Sequence, residues 1–187
     1  MTWIFGALEE LLPVIVFFVV QQQVGFGAAM VAMVATLVLL LVLIGLRQRT
    51  WPWFAIVSTV AVLVFIIPSL MTGNSQYFQA SDTYLDGFFA LLLLGSWIAK
   101  FPLLKYLFGS IFAISDRAWR ILNFRWGLLF LGLAVANEYV RLSYDEDVWS
   151  YFKLFSTIGI ILFGCYQFTL SHRERILGES NWLGLRV

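Results

Sequence analysis

The sequence predicts an all-α fold: a polytopic membrane helical bundle of five transmembrane helices, with a short N-terminal apolar helix and a cytoplasmic amphipathic linker helix. Three observations predict it. Of 187 residues, 61% are hydrophobic and 12% charged, where a soluble domain carries about 25% charged and about 45–50% apolar residues. A compact domain of this length still exposes about 30% of its unfolded surface, so this apolar surplus cannot all be hidden from water. Third, apolar runs recur along the chain at close to the about 20 residues that cross a bilayer. A soluble enzyme and a disordered chain are excluded. So is a nucleic-acid binder, since the net charge is +1 and the pI about 7.9.

The elements follow in order. Leu11 to Val20 is an apolar run too short to span; it reads as a half-helix or interfacial helix closed by Gln21, Gln22 and Gln23. Phe26 to Leu46 spans without a charge and is stopped by Arg47 and Arg49. Thr50 reads as an N-cap with Pro52 in the first turn, opening a second span from Trp51 to Met71 that Pro68 terminates or kinks. Thr72 to Ser81 reads as a polar loop, and Thr83 to Ala99 as a third, short span with Asp86 near its start. The fourth span runs from about Ile121 to Leu142 and the fifth from about Val148 to Leu170. No internal repeat or separate soluble domain interrupts residues 1–187, so the chain reads as a single membrane domain.

Scarce residues bound the chemistry. Cys165 is the single cysteine and His172 the single histidine. An internal disulfide needs two cysteines, and a structural zinc site needs about four Cys or His ligands. Cys165, within an apolar helix, reads as a small buried hydrophobe. No Ser/His/Asp set, phosphate loop or paired acid and base can be assembled, so no catalytic, cofactor or metal site is expected. The N-terminus lacks a basic region and carries Glu9 and Glu10 before its apolar run; it reads as uncleaved.

Orientation follows from charge. Arg47 and Arg49, then Lys100, Lys105, Arg117, Arg120 and Arg125, then Arg173, Arg175 and Arg186 fall on one side of the expected topology. Asp82, Asp86, Asp145, Glu146 and Asp147 gather on the other, with Arg141 and Lys153. Basic residues are retained in the cytoplasm, which places the C-terminus there.

The linker Lys100 to Arg120 is too polar to span and too apolar for a free loop. Pro102 breaks the preceding helix, and Leu103, Leu104, Leu107, Phe108, Ile111 and Phe112 give an apolar stripe at helical spacing. It reads as an interfacial helix that either fixes the angle between its neighbours or senses lipid or a partner. Ser115 then caps a new helix with Asp116 in its first turn. Trp119, Asn123 and Trp126 fall on one face of span four. That face reads as interfacial anchoring, with Asn123 bonding to a neighbouring helix, or as the lining of a vestibule.

Asn137, Glu138 and Lys153 form the sharpest constellation. Spans four and five make an antiparallel hairpin, and Glu138 and Lys153 are equally far from its midpoint. They are therefore expected to pair across it, either as a structural clasp or as a site open to the outer side.

The C-terminal half resembles the bacterial intracellular septation protein A family, also called the inner membrane-spanning protein family. The resemblance is carried by Phe101–Gly109 (FPLLKYLFG), the block Trp119…Asn123-Phe-Arg-Trp-Gly127, Ala136-Asn137-Glu138, and Trp149-Ser-Tyr-Phe-Lys153-Leu-Phe155. Glu10–Phe18 (ELLPVIVFF) is similar to the family's opening segment. The resemblance implies a multi-pass inner-membrane protein for cell-envelope biogenesis, envelope integrity and septation. It also implies association with division or cell-wall-elongation proteins, and no established catalysis. Asn137, Glu138, Trp149 and Lys153 are where resemblance and membrane physics coincide. The expected partners are membrane lipids and such proteins, not nucleic acid. A small-solute or lipid transporter, with Asp86, Glu138 and Lys153 lining a path, is the alternative. Transport calls for discontinuous helices with polar groups at the midplane, and here those groups cluster near helix ends.

Overall fold

The computed structural model describes residues 2–48 and 53–186, with side chains described for 11–46, 56, 59, 60 and 62–186. Among these residues the protein is all-helical, with seven helices. They are α1 (Thr2–Val24), α2 (Phe26–Gln48), α3 (Trp53–Thr72), α4 (Gln76–Ile98), α5 (Leu103–Phe108), α6 (Asp116–Ser143) and α7 (Glu146–Arg173). Three stretches are long and apolar enough to cross a membrane: Phe26–Leu46, Asp116–Ser143 and Glu146–Arg173. Leu11–Val24 and Val62–Thr72 are shorter apolar helical stretches. Contacts divide the chain into two compact units, Met1–Asp82 with Asn137–Ile158, and Thr83–Ala136 with Gly159–Val187.

In the first unit the short N-terminal helix is corrected to a helix of 23 residues that runs through Gln21–Gln23 to Val24. The glutamines do not close it because Gln21 is buried and finds partners on α7. The helix ends instead at Gly25, whose φ of +115° lets the chain turn into α2 while its N–H still bonds Gln21 O. The expected Thr50 cap and the Pro52 first turn lie outside the described residues. Pro68 sits inside α3, four residues before its end, and Thr72 Oγ1 donates to the Pro68 carbonyl. The polar loop expected over 72–81 contracts to Gly73–Ser75, because Asn74 Oδ1 accepts the N–H of Gln76 and starts α4 there.

In the second unit α4 ends with Lys100 at φ +57°. Phe101 N–H bonds Ser96 O and Lys100 N–H bonds Trp97 O, the paired bonds of a Schellman cap with lysine in the usual glycine position. Replacing Lys100 with glycine should therefore stabilise the protein by about 1 kcal/mol, read as a rise in its detergent-unfolding midpoint. A fall would mean that the lysine side chain contributes more than its backbone strain costs.

The amphipathic linker helix is shorter than its apolar stripe suggested. Only Leu103–Phe108 is helical. Beyond it the chain turns over 109–111 and then bridges the C-terminal tail, pairing Phe112 with Leu185 and Ile114 with Arg175. Ala113 N–H donates to Gly184 O, Ile176 N–H to Ala113 O and Arg186 N–H to Ile111 O. These partners lie 61–75 residues away in sequence, so helical spacing alone could not reveal them. Ser115 caps α6 as expected: its Oγ accepts Ala118 N–H at 3.2 Å and donates to Glu174 at 2.6 Å.

Gly184 is required in this tail. Its φ is +82°, and a Cβ there would lie 3.0 Å from Ser171 O and 3.1 Å from Ile114 Cγ2. Gly184→Val should detach the tail, making residues 174–187 cleavable by protease while the helices persist. A variant tail as resistant as the native one would contradict that contact.

Candidate functional site

Most of the expected site residues fall in the first unit, where α1, α2, α4 and α7 bring their ends together. Phe17 and Phe26 come from either side of the Gly25 turn, Phe78 from the first turn of α4, and Trp149 from the first turn of α7. Their rings pack at centroid distances of 5.3–6.0 Å around Trp149, which is fully buried. Edge-to-face contacts of this kind add about 0.5–1.5 kcal/mol each beyond burial.

Polar groups thread the same cluster. Trp149 Nε1–H donates to Asn137 Oδ1 at 2.8 Å, and Asn137 Nδ2 donates to Gln79 O at 2.9 Å. Gln21 Nε2 donates to Glu146 O at 3.1 Å and Asp147 Oδ1 at 3.0 Å, while Ser150 Oγ donates to Gln21 Oε1. Asp145 Oδ1 accepts Val148 N–H at 2.9 Å and caps α7. Among the described residues no buried side-chain polar atom lacks a hydrogen-bond partner.

The expected Glu138–Lys153 pair is corrected. Lys153, 8% exposed, places Nζ 2.5 Å from Asp82 Oδ2. The ammonium also lies 5.2 Å from the Trp149 ring centroid and 5.6 Å from that of Phe78. Glu138 pairs instead with Arg141, one turn along α6, at 2.5 Å, and Arg141 also donates to Gln76 Oε1 at 2.6 Å. Hairpin symmetry fixes depth but not azimuth. Trp149 and Lys153, four residues apart, share one face of α7, whereas Glu138 is turned about 100° from its neighbour Asn137. Asn137, not Glu138, faces the hairpin partner. Asp82 was visible in the sequence as an acidic residue near the start of span three, but nothing there paired it with a residue 71 positions away.

The remaining expected residues lie in the second unit. Asn123 is buried, donates to Ser96 Oγ at 2.9 Å and accepts Leu104 N–H at 3.1 Å, so it locks the end of α4 to the start of α5. Trp119 is 3% exposed and packs with Ile114, Ala118 and Leu122; it is a core residue rather than an anchor in the lipid interface. Trp126 is half-buried and stacks on Phe130 and Phe163. Asp86 is half-buried on α4. Cys165 is exposed on α7 rather than buried. Among the described residues no group of three or more His, Cys, Asp or Glu could hold a metal ion.

These observations define an integral membrane protein of helices whose charged and amide groups are tied to one another near helix ends. Comparison with known proteins gives its family. The profile described as "Intracellular septation protein A" matches residues 6–174, and the chain belongs to that family. It is 33% identical over 175 residues to the inner membrane-spanning protein YciB of Bradyrhizobium sp. (strain ORS 278), covering 91% of this chain and 86% of that one. It is 34% identical over 134 residues to the inner membrane-spanning protein YciB of Brucella suis biovar 1 (strain 1330), covering 71% and 67%. No solved structure matches the chain. The paired tail, Arg175–Arg186, lies beyond the family match.

Proposed function

We propose that the protein is a multi-pass inner-membrane factor for cell-envelope biogenesis, envelope integrity and septation. It works by holding membrane partners or lipid rather than by catalysis, and its C-terminus is cytoplasmic. The family name supports the process. The observation that carries the mode of action is the Asp82–Lys153–Trp149–Asn137–Gln79 cluster, in which the ammonium and the amide are engaged by the protein's own groups. Such a cluster fixes the mutual packing of helix ends, as a docking scaffold requires. Positive charge on the linker and tail supports the orientation: Lys100, Lys105, Arg117 and Arg120 share a unit with Arg173, Arg175 and Arg186, and the two segments are hydrogen-bonded together.

The test is a deletion strain, scored for cell shape, division and osmotic sensitivity, and complemented with wild type, Asp82→Asn and Lys153→Met. Deletion should produce envelope and septation defects. The single variants should complement in proportion to the protein that accumulates. Normal envelope and division in the deletion strain would overturn the process. Full accumulation without complementation would overturn the scaffold role, because the pair would then act in chemistry or transport.

A further inference from the structure

Arg125, in the second unit, makes no salt bridge among the described residues. Arg125 lies on α6, about 13 Å along the helix from Asp116. Its Nη1 donates to Gln167 Oε1 at 3.1 Å, and its Cζ is 5.7 Å from the Tyr166 ring centroid. Gln167 is buried and held from its other end, where Nε2 donates to Phe163 O at 3.2 Å. Its oxygen is thereby turned to the guanidinium. Both partners are neutral, and among the described residues no carboxylate pairs with Arg125. Lys153, Arg141, Lys105 and Arg186 each have one.

A guanidinium stays charged, and it carries five N–H donors in a planar fork that matches phosphate. Within a membrane span such a charge recruits a counter-ion or reaches for the headgroup layer. Arg125 is half-buried, so it can be approached from outside the chain, and Tyr166 beside it and Leu162 one turn from Tyr166 on α7 are exposed. Its partner Gln167 stands about 9 Å from the α7 terminus at Arg173, within the span a long basic side chain covers by snorkelling. An aromatic ring with a polar tip flanks the opening, as at lipid headgroups, and an aliphatic surface adjoins it.

We propose that Arg125, steadied by Gln167 and flanked by Tyr166, binds the phosphate of an anionic lipid headgroup in the leaflet at this end of α6 and α7. Anionic lipids suit it better than zwitterionic ones, whose own ammonium already offsets the phosphate. Gln167 is a positioning residue: it sets the plane of the fork.

The test uses the purified full-length protein in detergent, with phosphatidylglycerol or phosphatidylcholine added and retained lipid read by native mass spectrometry. The wild type should retain phosphatidylglycerol preferentially. Arg125→Gln should lower that retention about tenfold or more, the range of a charge-assisted bond, and leave phosphatidylcholine unchanged. Arg125→Lys and Gln167→Leu keep a charge but lose the fork or its orientation, so they report on the site even where Arg125→Gln does not accumulate; both should lose several-fold. Inorganic phosphate at millimolar concentration should not compete. Wild-type retention in both of these variants would overturn the proposal. So would displacement of the lipid by inorganic phosphate, which would mark a free-anion site. Dissociation of a dimer by Arg125→Gln with lipid retention unchanged would assign the counter-ion to a second copy and overturn it too.

Discussion

Asp82→Asn will destabilise the protein by about 2–3 kcal/mol. The substitution removes a charge and almost no volume. What it leaves behind is the ammonium of Lys153, whose side chain is 10% exposed and has lost its anion. The faces of Trp149 and Phe78 remain at 5.2 and 5.6 Å and recover part of the loss. Lys153→Met should be milder, because the Asp82 side chain is 26% exposed and its carboxylate can turn to water. The double variant Asp82→Asn, Lys153→Met should regain most of the stability lost by Asp82→Asn alone, since it removes the unpaired charge as well. Unfolding midpoints in mixed detergent measure all three. Additive losses in the double variant would mean that the two groups do not depend on each other, whatever their separation.

Trp149→Ala will have the larger effect, about 3–5 kcal/mol. The indole is fully buried among Phe17, Phe26 and Phe78, and its removal opens a cavity that three rings from three different helices cannot all close. It also deprives Asn137 Oδ1 of its indole donor and Lys153 of one aromatic face. Trp149→Phe separates these contributions. It keeps a ring and loses the N–H, and should cost about 1–3 kcal/mol. A Phe variant as unstable as the Ala variant would place most of the energy in the indole–asparagine bond rather than in ring packing.

The parts of this fold legible in the sequence are those written in local pattern. The α2 span stood out as an uninterrupted apolar run, and α6 and α7 as a pair bracketing a charged turn. Ser115 was recognisable as a cap because capping depends on residues within one turn. The choice of Asn137, Glu138 and Lys153 as a group also came from the sequence, through their depth in the hairpin, with Trp149 added by the family resemblance. Their partners did not. Depth along a helix is read from residue count, but direction around it depends on which neighbour packs there, and that is a tertiary fact. Lys153 was therefore matched to the nearest acid at equal depth rather than to Asp82 on α4. The pairing of 111–114 with the tail was illegible for a related reason. Isolated bridges carry no periodicity, and the apolar residues of that segment mimic a helical stripe.

The tie from Gln21 to Ser150 and Asp147 has a consequence for the order of biosynthesis. These residues are 126 and 129 positions apart. At about 5–20 residues per second, the ribosome delivers the α7 partners some 6–25 s after the glutamine. During that interval a polar amide on an apolar helix waits without its final partners, and the aromatic cluster that surrounds it lacks Trp149 at its centre. Helix α1 can thus pack against α2 early, through Phe17 and Phe26, but waits for α7 to complete its polar contacts. Until then Gln21 is the group on this helix that an insertion chaperone would need to shield.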